Sequence, residues 1–186
     1  SLKMKLKTKN YMKKLPNTLQ STVKIRFQDC DPFNHLNNAA YLNYFVNARE
    51  DQIAEHYGVD IYKMARTIGK SWVVGSNQIT YINPAFLMEE VIIESQLLKH
   101  DSSSLLVELK MWNKDKTKIK AIMWSSFVHF NLMKQKRELH SEELMELFKS
   151  VQNPIDTNSY ETRVDYFKKN FKFSKKNSDC LKNINL

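Results

Sequence analysis

Five polar residues that can take part in catalysis lie within ten positions of each other: Asp29, Asp31, His35, Asn37 and Asn38. They follow a short apolar run and come just before a segment with helical spacing. A helix N-terminus offers unpaired backbone N–H groups and a partial positive charge. A carboxylate beside it suits a reaction in which a carbonyl oxygen becomes negative, where each aimed N–H contributes about 3 kcal/mol. The alternative is that an Asp or Asn here only caps the helix.

The helix that would position these residues follows directly. Apolar and aromatic residues recur three or four positions apart between Tyr41 and His56, and Gly58 is a natural stop. This spacing predicts a helix over residues 38–57, about 30 Å long at 1.5 Å per residue. Its aromatic content indicates a buried central element.

The rest of the predicted core is strand-like. A first strand is predicted over residues 22–27, and four later runs rich in Val, Ile, Leu and aromatics cover 72–83, 91–100, 105–112 and 119–130. Turn-forming residues separate these runs. Short connections favour antiparallel neighbours, so we expect an antiparallel meander. The pattern predicts an α+β domain with the sheet wrapped on one long helix.

A resemblance to a known family rests on the segment DCDPFNHLNNAAYLNYF, residues 29–45, followed by Ala48 and Arg49. It resembles the signature of hotdog-fold acyl-CoA thioesterases, above all the 4-hydroxybenzoyl-CoA thioesterase group. Plant acyl-carrier-protein thioesterases carry a related segment. The resemblance covers roughly residues 21–135. It implies the hotdog fold, an antiparallel sheet around one long helix, and hydrolysis of acyl-CoA or acyl-carrier protein to free acid and thiol.

The resemblance also implies catalytic roles. Asp31 matches the family's carboxylate, which acts as nucleophile or as general base toward water. The backbone N–H of Asn38 matches the group that polarises the thioester carbonyl. His35 matches a histidine that orients groups or assists water. No metal or redox cofactor is implied, because coenzyme A is part of the substrate.

Substrate-binding residues are expected at two further places. Tyr41 lies on the first turn of the predicted helix. A serine-rich turn falls where such thioesterases often have hydroxyl groups near the pantetheine arm, although plain turn chemistry explains it equally well: Ser102, Ser103 and Ser104.

Two positions depart from the family pattern. Asn34 stands where the family often has Gly before the histidine, and Asn tolerates left-handed backbone angles better than most residues. Thr80 precedes Tyr81 where many relatives have Glu before an aromatic residue. A mechanism that needs this Glu is disfavoured, which leaves Asp31 as the main candidate.

Charge and composition predict the domain limits. Of the net charge of +9, residues 1–20 carry +6 and residues 160–186 carry +4, so the segment between them is nearly neutral at −1. We therefore predict a basic N-terminal extension over 1–20, the thioesterase domain over 21–135, a C-terminal helical extension over 136–173 and a disordered tail over 174–186. Nucleic-acid binding through a basic folded face is disfavoured, and membrane contact by the basic ends is a lesser alternative.

Partners and location are predicted from the same features. The resemblance implies a homodimer or homotetramer with substrate between the subunits. Two distant cysteines, Cys30 and Cys180, indicate neither a disulfide framework nor a zinc site and fit the cytoplasm. A lysine-rich start leaves organelle targeting as an alternative. A non-catalytic acyl-thioester binder and a hotdog 3-hydroxyacyl-thioester dehydratase are the rival functions.

Overall fold

A computed structural model describes residues 14–171, which form one sheet and four helices. The strands are β1 (Thr18–Lys24), β2 (Lys70–Tyr81), β3 (Glu90–His100), β4 (Ser104–Asn113), β5 (Ile119–Asn131) and β6 (Lys136–Arg137). The helices are α1 (Asn38–Tyr57), α2 (Ile61–Ile68), α3 (Glu142–Val151) and α4 (Tyr160–Phe171). An antiparallel sheet packs around the long helix α1, so the predicted α+β hotdog architecture is confirmed.

Local signals at its two ends define α1. The Asn37 side chain accepts a hydrogen bond from the Ala39 N–H, and Gly58 ends the helix in the left-handed conformation at φ 69°. The predicted bounds 38–57 are therefore confirmed. The helix turns Tyr41, Phe45 and other residues spaced three or four apart toward the sheet.

The order of strands in the sheet is β1-β3-β4-β5-β2, with every pair antiparallel and β6 beside β5. The predicted meander is correct for β3, β4 and β5 but wrong for β2, which pairs with β5 and forms an edge. The connection over 82–89 carries the chain away from β2, and its backbone bonds to the loop before α1. The predicted first strand was also misplaced, because β1 ends at Lys24 and a 3-10 turn occupies Phe27–Asp29.

Both faces of the sheet are covered. On the inner face α1 and α3 contribute to one apolar core, with Phe45 and Met111 fully buried. On the outer face α4 packs Val164 and Phe167 against Trp112. Alternate residues of each strand point to opposite faces, so one sheet supports both layers.

A buried ionic network fixes α4 to the sheet. Arg163 donates two hydrogen bonds to Glu108, at 2.9 and 2.8 Å, and Glu108 is 0% exposed. Lys110 lies 3.3 Å from the same carboxylate and 2.7 Å from Glu94. Every charge in this network therefore has an opposite partner, as buried charges require.

The predicted domain limits remain predictions. Strand β1 begins inside the predicted extension 1–20, and α3 and α4 fall within 136–173. Residues 1–13 and 172–186, which include the predicted tail, lie outside the described residues. None of the helices within 14–171 is long and apolar enough to span a membrane.

Candidate active site

The loop before α1 holds the Asp31 carboxylate by one oxygen. Asp31 Oδ1 accepts the backbone N–H groups of Phe33 at 2.9 Å and His35 at 3.0 Å. The Asp31 N–H in turn donates to the His35 carbonyl at 2.8 Å. Oδ2 has no hydrogen-bond partner among residues 14–171. The side chain therefore braces the loop with one oxygen and leaves the other available.

Asn34 supplies the bend that this bracing needs. Its φ is 61°, in the left-handed region, where Gly is normally favoured and Asn is tolerated. The Asn34 carbonyl accepts the Leu87 N–H at 2.9 Å, and the Leu36 N–H donates to Ala85 at 2.8 Å. The connection between β2 and β3 thus supports the loop from outside.

The start of α1 exposes one backbone donor. The N–H groups of Ala39 and Ala40 donate to the side chain and the carbonyl of Asn37. The N–H of Asn38 has no acceptor in the described part of the chain, while its carbonyl accepts the Tyr81 hydroxyl at 3.0 Å. A free N–H at the positive end of a twenty-residue helix is suited to a developing oxyanion.

His35 sits between two aromatic rings at the tip of the loop. Its ring lies 5.2 Å from that of Phe86 and 6.4 Å from that of Phe33, measured between centroids. Its ring nitrogens form no hydrogen bond to any residue within 14–171. Both nitrogens can therefore serve a substrate or a water.

Tyr41 lies beneath this loop rather than in an open pocket. Its side chain is 2% exposed, and its hydroxyl accepts the Ala85 N–H at 3.2 Å. Burial raises the pKa of Tyr41 to about 12, so the phenol stays neutral. In this conformation the side chain supports the connection that holds the loop.

The three serines lie at the opposite end of the sheet from Asp31. Asp101 Oδ1 accepts the N–H groups of Ser103 and Ser104 at 2.8 and 2.7 Å, which closes the turn between β3 and β4. Ser102 is exposed in the same turn. The Asp31 loop bonds to the backbone just before β3, and the ten residue steps of that strand, at about 3.3 Å each, put the turn roughly 33 Å away. One chain does not bring these groups together.

Two neighbours of Asp31 have structural roles. Asp29 accepts the Tyr44 hydroxyl at 2.7 Å, and the same hydroxyl accepts the Arg26 N–H at 3.1 Å. Sequence reasoning missed this link, although Tyr44 lies one turn beyond Tyr41 on the same helix. Burial, followed by the charges of Asp29 and Asp31, raises the pKa of the Cys30 thiol, which disfavours a thiolate nucleophile.

An apolar cavity of about 150 Å³ lies further along α1, between that helix, the inner face of the sheet and α3. Trp72 and Val74 of β2 line it, as does Phe148 of α3. Asp31, His35 and Asn38 do not line it. Sequence reasoning missed that Arg49 borders this cavity, because the residues around Arg49 come from distant parts of the chain.

The described residues contain no group of three or more His, Cys, Asp or Glu side chains placed to hold a metal ion.

Comparisons with known proteins give the family. The thioesterase-like superfamily matches residues 25–148. The long-chain acyl-CoA thioesterase FadM of Escherichia coli is 27% identical over 69% of this chain and 95% of its own length. The probable thioesterase YbaW of Escherichia coli has 26% identity and a TM-score of 0.62, over 73% of this chain and 99% of that one.

A more distant crystal structure has the same fold. The 1,4-dihydroxy-2-naphthoyl-CoA thioesterase Slr0204 of Synechocystis is 10% identical, with a TM-score of 0.64 over 72% of this chain and 95% of that one. The match to the family covers most of the described residues and includes the whole candidate loop. The predicted family and enzyme class are therefore confirmed, and the chain belongs to the thioesterase-like superfamily of hotdog-fold hydrolases.

Proposed function

We propose that this chain hydrolyses acyl-CoA thioesters to the free acid and coenzyme A, with Asp31 as the reacting carboxylate. The observation that carries the proposal is the loop geometry. One Asp31 oxygen is anchored by two N–H groups, its other oxygen is available, and the free N–H of Asn38 begins the helix that follows. FadM, a relative named as a long-chain acyl-CoA thioesterase, supports the substrate class.

The chemistry follows from these two groups. The thioester carbonyl oxygen accepts the Asn38 N–H, which stabilises the negative charge of the tetrahedral intermediate. Asp31 Oδ2 either attacks the carbonyl carbon or takes a proton from the attacking water. In the first route the C–S bond breaks to give an acyl–carboxyl anhydride and the thiolate, and water then cleaves the anhydride. In both routes the thiolate leaves and is protonated, and we assign His35 the role of orienting the water.

We further propose that a second copy of the chain completes the site. Strand β2 is an edge of the sheet, and Val73 on it is 41% exposed. Ser104 lies in register with Val128 of β5, which pairs with Val73. These three residues therefore form one row across the sheet. If two β2 edges paired in antiparallel fashion, this row would lie close to the far end of the other copy's β2. At that end Tyr81 contacts the start of α1. The distant serines would then lie near the catalytic loop of the other copy.

The direct test is release of free thiol from a panel of acyl-CoA and acyl-carrier-protein substrates. We expect saturable thiol release with equal amounts of free acid. Formation of an enoyl product from a 3-hydroxyacyl substrate without thiol release would replace the proposal with dehydration. Tight binding of acyl-CoA without turnover of any substrate would replace it with a binding role.

The dimer has its own test in Val73→Lys, with Lys136→Ala on the short strand β6 as a surface control. The substitution puts a charged side chain on the strand edge that the other copy would pair with, and edge lysines block strand pairing. We expect the variant to sediment as a monomer and to lose thiol release, while the control retains both dimer and activity. A fully active monomer would exclude a shared site.

A further inference from the structure

The cavity beside α1 has the size and walls of a small-molecule site. Its volume of about 150 Å³ is comparable to apolar protein cavities of about 150 Å³ that bind benzene. Leu97, Leu109 and Phe127 of the sheet form its floor, and Phe148 of α3 closes one side. Val74, which is 49% exposed, connects it to the surface. A ligand with a small apolar body could therefore enter.

One strong cation borders these apolar walls. Arg49 Nη1 donates to the Ser95 hydroxyl at 2.9 Å, and Ser95 is 0% exposed. The Ser95 hydroxyl donates onward to Gln52 Oε1 at 2.5 Å. The Gln52 amide then donates to Ser21 Oγ at 2.9 Å and to the Ile93 carbonyl at 3.0 Å. Every group in this chain of hydrogen bonds is neutral except Arg49.

The Arg49 guanidinium has few partners within the described residues. An arginine has five N–H donors. Only one of those of Arg49 donates to an acceptor within residues 14–171. No carboxylate of these residues forms an ion pair with it. Glu50 also lines the cavity, but its carboxylate accepts the Tyr62 hydroxyl at 2.8 Å. Burial lowers the pKa of Arg49 to about 10, which leaves it charged at neutral pH.

A cation in such surroundings normally has an anionic partner, because removing a charge from water is costly unless it is paired. Within residues 14–171, the buried Lys110 and Lys120 and the half-buried Arg163 follow this rule, because each pairs with a carboxylate. Arg49 does not follow this rule, because it lines a cavity and has no carboxylate partner within these residues. The guanidinium fork matches a carboxylate with two parallel hydrogen bonds.

We propose that the cavity binds a small free carboxylic acid, whose apolar body fills the space beside Phe148 and whose carboxylate pairs with Arg49. The volume limits that body to about the size of a benzene ring, as in hexanoate or benzoate. A thioester held at the start of α1 in the same chain does not fit this description. Arg49 lies eleven residues beyond Asn38, about 16 Å along the helix, and a chain of that length exceeds the cavity.

The acid could come from two sources, the chain's own proposed hydrolysis or another reaction. Asp31, His35 and Asn38 of the same chain do not line the cavity, and binding of an acid needs no turnover, so the site can be tested independently of the proposed function.

The test is isothermal titration of the full chain with hexanoate, benzoate and hexan-1-ol, the last being an uncharged analogue of hexanoate. We expect saturable binding of both acids. Arg49→Met keeps much of the apolar stem but removes the charge, so it should weaken hexanoate binding at least tenfold. The variant should bind hexan-1-ol within threefold of the affinity of the unaltered chain.

Arg49→Lys guards against misfolding of the first variant. It keeps the charge but loses the fork, and we expect hexanoate affinity between those of the other two proteins. A matched control is Arg66→Met, because Arg66 is exposed on α2 and should leave binding unchanged. Absence of saturable acid binding to the full chain, or equal hexanoate affinity in a folded Arg49→Met variant, would overturn the proposal.

Kinetics separate the two sources of the acid. Inhibition of hexanoyl-CoA hydrolysis by hexanoate that Arg49→Met removes would link the site to the chain's own product. Arg49-dependent binding that leaves thiol release unchanged would identify the acid as one from another reaction. Both results support the site, and loss of hydrolysis alone does not affect it.

Discussion

Replacing Asp31 by Asn separates the catalytic role of this side chain from its role in holding the loop. Asn keeps an oxygen at the Oδ1 position, so the N–H groups of Phe33 and His35 retain their acceptor. The negative charge and the available second oxygen are both lost. The substitution therefore changes the chemistry of the side chain while preserving its hydrogen bonds.

The expected magnitudes differ for the two roles. Loss of a nucleophile or general base should lower kcat/KM at least about a hundredfold, about 2.7 kcal/mol of transition-state stabilisation. The two N–H bonds become neutral instead of charge-assisted, at a cost of at most about 1 kcal/mol each. The half-exposed loop reduces that cost further, so we expect less than about 2 kcal/mol in the free energy of unfolding.

Thiol release and urea denaturation measure the two quantities on the same proteins. Asp31→Ala should lose the same activity and more stability than Asp31→Asn, because it also removes the acceptor. Asp29→Asn is the matched control: it removes a neighbouring carboxylate charge but keeps an acceptor for Tyr44. Its activity should stay within about threefold of the unaltered chain. Near-normal turnover by Asp31→Asn would refute the catalytic role and leave Asp31 as a loop cap.

Three further predictions concern the supports of the site. Asn34→Ala should destabilise the fold by about 1 kcal/mol in urea denaturation, because a left-handed φ of 61° disfavours Ala. Asn34→Gly should not destabilise it. Equal stability of the two variants would contradict this reasoning. Arg163→Met should cost about 3 kcal/mol at pH 7, because it removes the main partner of a buried carboxylate. Burial acts to raise the pKa of Glu108, but Arg163 and Lys110 outweigh it and lower the pKa below 4.5. The stabilisation from the ionised Glu108 is therefore complete above pH 4.5 and is lost as the pH falls through the lowered pKa. The cost of Arg163→Met should consequently shrink in acid. A cost that does not change with pH would argue against this pairing. Burial lowers the pKa of His129 below 6.5, so the unfolded chain binds more protons than the folded chain. The free energy of unfolding should therefore fall as the pH drops from about 6.5. His129→Phe should reduce that decline, and an unchanged slope would exclude His129 as a cause.

Local interactions explain why α1 could be predicted from sequence to the residue. The cap at Asn37 and the stop at Gly58 lie next to the helix that they limit. The left-handed conformation at Asn34 was likewise readable from residue type. The loop of Asp31 could be located for the same reason, since the side-chain hydrogen bonds of Asp31 join residues no more than four positions apart.

Features that depend on distant residues were not predictable. The pairing of β2 with β5 joins segments about fifty residues apart, and periodicity does not specify it. The distance between Asp31 and the serine turn follows from that sheet order. Arg49 could be placed on the helix from sequence, but its lack of a carboxylate partner depends on which side chains β3 and α3 bring near it.

The helix α4 has a consequence for how copies of this chain can assemble. It covers the outer face of the sheet with Tyr160, Val164 and Phe167, and Arg163 reaches the buried Glu108 beneath it. Two sheets cannot stack back to back while this layer is in place, because the surface they would share is already occupied. Displacing α4 from the sheet would remove the Arg163 guanidinium from Glu108 and expose an aromatic surface to water. Contacts between copies on this side of the sheet must therefore use the outside of α4 itself.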